Sequence, residues 1–324
     1  MKNTLFIIVP CYNEEDCLHD SASLLLDKLR ELIELEKASQ KSRIVFVDDG
    51  SSDRTWSIIE ELNTENPLCS GIKLAANAGH QNAVMAGLLY SRGRADMTIS
   101  IDADLQDDPE AIGVMADRFF EGYDIVYGVR TNRESDSFLK RFTAEGYYKL
   151  TKMLGGRIIY NHADYRLMSS RAVAELSKFP ERGLFLRGLM PMLGLKTCEV
   201  GYVRAERKKG ESKYTPIKML KLASDGITSL TTKPLLIVLG TGITISSVSF
   251  ISFVILLVAM AAGMKNGAFW LLFSSVWLIG GLLLSAVGLV GEYVGKTLTE
   301  TKARPRFFVE KVLDENFPAG ESLG

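Results

Sequence analysis

Short β-branched apolar runs alternate with longer stretches of helical spacing over the first 130 residues of the chain. The runs Leu5–Val9, Ile44–Val47, Gly71–Leu74, Met97–Ile101 and Ile125–Tyr127 are predicted strands. Glu14–Glu36, Arg54–Asn63, Gln81–Ser91 and Pro109–Glu121 are predicted helices. Alternation of this kind argues for a mainly parallel α/β sheet. Ligands of such sheets bind beyond the carboxyl ends of the strands.

The pattern changes after Lys233. No Asp, Glu, Lys or Arg occurs from Pro234 to Met264 or from Asn266 to Gly291, and only Lys265 separates the two stretches. A spanning helix needs about 20 apolar residues, and Leu235–Met264 and Ala268–Gly291 both reach that length. The alternative, two buried core helices, fits less well, because soluble helices seldom stay uncharged for so long. The link Gly263–Gly267 is short, so the helices should pair antiparallel, with both chain ends on one side. Arg204, Arg207, Lys208, Lys209, Lys213, Lys218 and Lys221 precede the first stretch, and Lys296, Lys302, Arg304 and Arg306 follow the second. The positive-inside rule then predicts an inner (cytoplasmic) membrane protein with its large domain and both termini cytoplasmic. Leu5–Val9 is too short, and lacks a cleavage-like segment behind it, to be a signal peptide. Between domain and membrane, Tyr214–Lys233 interleaves Ile217, Leu220, Leu222, Ile227 and Leu230 with Lys218, Lys221 and Asp225. This reads as amphipathic helices lying in the membrane interface, or as a core helix of the preceding domain. The expected division is 1–213 for the α/β domain, 214–233 for the interfacial helices, 234–291 for the membrane hairpin and 292–324 for a cytoplasmic tail.

Composition supports the division. The 324 residues hold 38 basic and 39 acidic side chains, a formal net charge of −1, with 47 % hydrophobic and 24 % charged residues. These averages exclude a disordered chain and a uniformly basic nucleic-acid binder, so no nucleic-acid partner is expected. Only six basic and six acidic residues lie after position 233, which leaves a well-charged first part with ample length for its own core. Cys11, Cys17, Cys69 and Cys198 form no CxxC pair and read as free thiols in a reducing cytoplasm.

The candidate chemistry sits at the predicted strand ends. The first strand runs into Pro10-Cys11-Tyr12-Asn13-Glu14-Glu15, the second into Asp48-Asp49-Gly50-Ser51-Ser52-Asp53, and the fourth into Asp102-Ala103-Asp104-Leu105-Gln106-Asp107-Asp108-Pro109. Carboxylates one residue apart on an extended loop can both face a divalent cation, and Mg²⁺ keeps its remaining positions for water and phosphate oxygens. A nucleotide diphosphate complements such a site. Each cluster alone also reads as a turn with a helix start, but three in order at one sheet edge carry more weight together.

The chain resembles the family 2 glycosyltransferases of GT-A fold, and within them the polyisoprenyl-phosphate glycosyltransferases. The resemblance rests on VPCYNEE (9–15), VDDGSSDRT (47–55), NAGHQNAVMAGL (77–88), DADLQDDPE (102–110), DYRLMSSRAV (164–173), RAERKKGESKY (204–214) and GEYVGKTLTETKARPRFFV (291–309). It departs at Asp108, where such proteins often have Pro. The fold implied is a Rossmann-like GT-A domain followed by interfacial helices and two membrane helices. The resemblance implies that Pro10, Tyr12 and Glu14 line the nucleotide base and ribose, and that Asp49, with Asp48, bonds the uracil edge. Asp102 would contact the nucleotide sugar, and Asp104 and Gln106 would help Asp102 hold Mg²⁺ or Mn²⁺. Asp164 takes the place assigned to a catalytic base, although a lipid phosphate with a second pKa near ~6 is already mostly ionised at neutral pH. Asn77–His80 would shape the donor pocket, with His80 as a base the lesser reading. Arg130 either contacts phosphate or is a solvated strand-end arginine.

The segment Arg204–Lys221, with seven basic and two acidic residues, would grip the lipid phosphate through Arg207, Ser212 and Lys213, unless it is a generic basic flank. The implied activity is inverting transfer of a hexose, glucose from UDP-glucose first, to undecaprenyl phosphate by a homo-oligomer, possibly a tetramer. Alternatives are another donor sugar (amino-arabinose, mannose or N-acetylhexosamine) and a non-catalytic membrane adaptor. A processive synthase would need more spanning helices and a QxxRW-type motif. A nicotinamide-binding domain would need G-x-G-x-x-G after the first strand.

Overall fold

The computed structural model describes residues 3–104, 106–131, 162–203 and 267–314. Its strands are β1 (Leu5–Cys11), β2 (Arg43–Asp48), β3 (Cys69–Leu74), β4 (Met97–Ser100), β5 (Ile125–Arg130), β6 (His162–Ser169), β7 (Thr197–Tyr202) and β8 (Val309–Leu313). Its helices are α1 (Leu18–Glu34), α2 (Thr55–Glu65), α3 (His80–Ser91), α4 (Ala111–Phe120), α5 (Ser170–Leu176), the single turn α6 (Leu186–Leu189) and α7 (Gly267–Thr301). The strands form one sheet in the order β7-β5-β6-β4-β1-β2-β3-β8.

Every residue of β1 is buried, because its apolar run is covered on both faces, as central parallel strands are. Side chains alternate across the sheet. Leu5, Ile7, Val9 and Cys11 meet Leu18, Ala22, Leu25 and Leu29 of α1 and Ile112 and Met115 of α4. Phe6 and Ile8 meet Ala83, Ala86 and Tyr90 of α3 on the other face. Helix α3 lies so close to the sheet that a Cβ on Gly87 would stand 2.2 Å from Ile8 Cγ2.

The predicted strands and helices of residues 5–130 are all present, and β1 to β4 pair in parallel. Beyond them the sheet is mixed, with β5 and β7 again parallel. Strand β6 runs antiparallel to both neighbours, with Ser100↔Arg166 on β4 and Val129↔His162 on β5. The chain leaves β5 and enters β6 at the same sheet edge, and only an antiparallel strand can do so without a crossover.

Part of the expected tail 292–324 joins the sheet. Val309–Leu313 adds β8 antiparallel to β3, from Gly71↔Leu313 to Leu74↔Val309. Phe307 is buried in the core beside it, the Tyr90 hydroxyl bonds the Asp314 carboxylate, and Lys73–Glu310 and Lys311–Glu60 pair at 2.9 and 2.8 Å. The charges of this stretch point outward along the edge, which is why its sequence reads as a solvated tail. The strand covers an edge that would otherwise expose a row of unpaired backbone groups.

The expected interfacial segment 214–233 and first span Leu235–Met264 lie outside the described residues. The second expected span, Ala268–Gly291, falls within the continuous 35-residue helix α7. Taken over the described residues alone, no helix is long and apolar enough to cross a membrane. The four cysteines are free thiols, with Cys11 and Cys69 buried.

Helix propensity favours Ala over Gly by about 1 kcal/mol, whereas overpacking a core costs about 1–3 kcal/mol. With Ile8 fixed in a central strand, packing should win. Gly87→Ala is expected to lower the unfolding midpoint of the full chain in a thermal or denaturant titration; a raised midpoint would show that α3 can move away from β1.

Candidate active site

The carboxyl edge of β1, β2 and β4 is stitched together by its own loops. Asn13 adopts a left-handed backbone (φ 53°), which Asn tolerates better than most residues. Its side-chain oxygen accepts from Ser52 N at 2.9 Å, and its own N–H donates to Ser51 Oγ at 3.0 Å. Glu14 N donates to Thr55 Oγ1 at 2.9 Å. Gly50, at φ +66°, has no room for a Cβ, which would lie 2.6 Å from Asn77 N. That close approach sets Asp49 under the turn 77–79, where its carboxylate accepts from Ala78 N (2.7 Å) and Gly79 N (3.0 Å). Asp48 accepts from Ser51 N at 3.1 Å. Both acids are buried, and burial raises both pKa values against the hydrogen bonds that lower them. The pair organises the loops in this structure. Tyr12 remains exposed and Glu14 half-buried, whereas Pro10 is enclosed in β1.

The antiparallel direction of β6 carries Asp164 to this same edge, where its backbone C=O accepts from Ser100 Oγ of β4 at 2.6 Å. Its carboxylate is only 9 % exposed and is surrounded by donors. Arg187 of α6 grips it in fork fashion, Nε to Oδ1 and Nη2 to Oδ2, both at 3.3 Å. The buried Arg166 donates to Oδ1, and Gln81 Nε2 donates to Oδ2 at 3.2 Å. His80 Nε2 lies 3.6 Å from Asp164 Oδ2 and 3.6 Å from Asp102 Oδ1. Burial works against the Asp164 charge, but Arg187, His80 and Arg166 outweigh it and hold the carboxyl well below its ordinary pKa. Burial also opposes the imidazolium of His80, yet the neighbouring carboxylates of Asp164 and Asp102 push its pKa up to about 9. With Asp102 and Asp164 both ionised beside it and no metal bound, His80 favours the imidazolium form at neutral pH. The pKa of Asp102 rises to about 6, first through burial and then through Asp107, Asp164 and Asp104. Asp102 keeps 40 % of its side-chain surface, so it is reachable from solvent.

A second network fixes the acidic loop after β4. Asp107 is buried and accepts from Tyr202 OH at 2.6 Å and from Arg130 Nη2 at 3.2 Å. Arg130 Nε also donates to Tyr202 OH at 3.2 Å, and Tyr165 OH donates to the Asp108 C=O at 2.9 Å. Arg130 is thus tied into the loop's support rather than standing in solvent. Gln106 N donates to Asp104 Oδ1 at 3.3 Å, so the loop folds back on Asp104. Among the described residues no three His, Cys, Asp or Glu side chains are grouped to hold a metal ion. The donor chemistry nevertheless fits one: two carboxylates and an amide oxygen suit Mg²⁺ or Mn²⁺ with open positions.

Arg207, Ser212 and Lys213 lie outside the described residues. Sequence reasoning passed over Gln81, Arg166 and Arg187 as site residues. Arg187 left one signal: it is a lone charge within the apolar run Leu184-Phe185-Leu186-Arg187-Gly188-Leu189.

His80 gives a pH test in the metal-free protein. Its folded pKa of about 9 exceeds the unfolded value of about 6.5, so folding favours the protonated form. That stabilisation is complete below about pH 6.5 and is lost as pH rises through about 9. The gap in unfolding midpoint between the native protein and His80→Gln should therefore shrink from pH 6 to pH 10. A gap that widens would mean the imidazole is held neutral.

Comparison with known proteins places the chain in a family. Residues 6–177 match the glycosyl transferase family 2 pattern. The uncharacterized glycosyltransferase YkoT of Bacillus subtilis (strain 168) is 43 % identical over 94 % of this chain and 91 % of its own. The prophage bactoprenol glucosyl transferase homolog of Escherichia coli (strain K12) is 39 % identical over 94 % of this chain and 98 % of its own. The bactoprenol glucosyl transferase of Shigella phage SfX is 36 % identical over 94 % and 98 %. A mixed, GT-A-like sheet that gathers Asp102, Asp104 and Asp164 at one edge is thus joined to full-length likeness, and the chain belongs to glycosyl transferase family 2 as a glycosyltransferase.

Proposed function

We propose that the protein transfers a hexose, glucose from UDP-glucose, to a polyisoprenyl phosphate such as undecaprenyl phosphate at the cytoplasmic face of a membrane. The observation that carries this reading is the pairing of the acidic stretch at Asp102–Gln106 with His80 and Arg187, the two part-exposed cations beside Asp164. An acidic loop suits a metal-bound diphosphate, and adjacent cations suit a phosphate acceptor. The relatives named bactoprenol glucosyl transferase support the acceptor and the sugar. The uncharged runs of residues 234–264 and 266–291 support the membrane. So do Phe269, Leu272, Val276, Ile279, Leu283 and Val287 of α7, which are exposed at three- and four-residue spacing. Lipid would cover such a stripe where water would not.

In this mechanism an oxygen of the acceptor phosphate attacks the anomeric carbon in line with the bond to the leaving diphosphate. A phosphate–C1 bond forms as the C1–diphosphate oxygen bond breaks, which inverts the configuration and releases UDP. A bound Mg²⁺ or Mn²⁺ would supply Lewis-acid stabilisation of the diphosphate, held by Asp104 and Gln106 with Asp102 beside them. Asp164 takes no proton here. Its oxygens already accept from two guanidiniums and an amide and face the His80 imidazolium, and a dianionic acceptor needs no base. Its task is to aim Arg187 and His80 at the place where two phosphates meet. Anchoring by α7 would hold the site near the headgroup of the lipid acceptor, a proximity effect.

The test is incubation of the purified full chain with undecaprenyl phosphate, a divalent metal and a panel of labelled nucleotide sugars. Labelled lipid is expected from UDP-glucose; labelled lipid from none of the donors overturns the reading, and label from another donor reassigns the sugar. Asp104→Asn should lower turnover by about 10²–10³-fold, the size of lost transition-state charge stabilisation. Asp164→Asn should lower turnover while leaving the shape of the pH–rate profile intact. Loss of its acidic limb in that variant would instead identify Asp164 as a general base.

A further inference from the structure

Residues 177–185 lead from α5 to α6, and the far end of α7 holds this connector from outside. The carboxylate of Glu300, in the last turn of α7, accepts from Arg182 N at 2.9 and 2.8 Å and from Gly183 N at 2.8 Å. The Arg182 guanidinium returns the contact, donating to the Ala303 C=O at 3.1 Å. Just beyond the helix, Arg306 donates from Nε to the Glu181 C=O at 2.9 Å and from Nη2 to the Phe179 C=O. Each of these bonds has one charged partner, which makes it stronger than a neutral one.

The connector then enters α6. There Leu186 N donates to Gln81 Oε1 at 3.1 Å, and Arg187 forks onto Asp164. Helix α6 is a single turn of four residues whose Leu186 and Leu189 are buried in the core on either side of Arg187. Phe179 and Leu184 of the connector are only partly buried against that core. The core seats the turn itself, and the chain that enters it is held by the polar contacts with the end of α7.

We propose that Glu300 and Arg306 are positioning residues for the transferase centre: their clasp on residues 179–183 fixes the chain that presents Leu186 N to Gln81 and Arg187 to Asp164. The clasp makes the end of α7 part of the active-site support. Movement of that helix is felt at Arg187, and a loosened clasp weakens one of the two guanidinium contacts to Asp164. This inference rests on the transferase reading of the site for its kinetic test, and on the geometry alone for its structural one.

The experiment uses the full chain in lipid nanodiscs, as native protein, Glu300→Ala, Glu300→Gln, Arg187→Ala and the Glu300→Ala/Arg187→Ala pair. Hydrogen exchange in residues 184–189 should quicken about tenfold or more in Glu300→Ala, while α1 and β1 stay protected, as expected for a local opening. Glu300→Gln, which keeps one acceptor oxygen, should fall between. In the transfer assay Glu300→Ala should lower kcat about tenfold, the scale of a small misplacement in the site, with KM for the donor little changed. In the Arg187→Ala background the same substitution should cost less than about twofold, because two changes acting through one contact do not add. Unchanged exchange at 184–189, exchange that quickens equally throughout the domain, or kcat losses that multiply in the double variant would each overturn the clasp. If the native protein transfers sugar from no donor, the proposed function fails, and the exchange result alone decides the clasp.

Discussion

A carboxylate nine-tenths enclosed by protein would ordinarily take up a proton, and Asp164 is kept charged only by the cations arranged about it. They come from separate parts of the chain: Arg166 from its own strand, His80 from the start of α3, and Arg187 from α6. Removing one partner of a buried ion pair costs far more than the pair contributes as a whole, because the survivor is left uncompensated. The three elements are therefore bound to one another through a single side chain. The same arrangement explains why His80 is charged and why Asp164 makes a poor proton acceptor. Its low pKa and its filled oxygens are two aspects of one geometry.

The carboxylates at this edge have divided their work by environment. Asp49 holds a turn through two backbone N–H groups. Asp107 locks the acidic loop to β5 and β7 through Arg130 and Tyr202. Asp102, with 40 % of its side chain exposed, has its pKa raised to about 6 by desolvation and by the acids around it. Burial and partners distinguish these acids, although adjacent positions in a sequence make them look alike.

That division marks the limit of what the sequence discloses. Strands β1 to β5 and helices α1 to α4 are legible because each has a local cause: an apolar run buried on both faces, or an amphipathic repeat. The order of the acidic motifs is legible because parallel strands bring their carboxyl ends together. The direction of β6 is not, since Tyr165, Leu167 and their neighbours alternate in the same way whichever direction the strand runs. Strand β8 is hidden by the charges of Glu310 and Lys311, which belong to its outward side. Arg187 is hidden for a third reason. It lies in a connector with little periodicity, and its partner is a residue that only the folded sheet places beside it. Asp48 and Asp49 could be read as site residues from their motif, but only the positive φ of Gly50 and the turn at 77–79 show what they hold.

The pairing of β8 with β3 also has a meaning in time. Lys73 and Glu310 touch across the sheet edge but are 237 residues apart in sequence. A ribosome adds about 5–20 residues each second, so for some tens of seconds the nascent domain carries β3 as an open edge. During that interval both uncharged stretches, residues 234–264 and 266–291, are synthesised. The sheet closes only after they have emerged. Non-local pairing of this kind is slow to form and exposed to aggregation until it does. Until β8 arrives, the bare edge of β3 is open to chaperones and proteases, so the stretch that closes the sheet also decides how long the new domain is exposed to them.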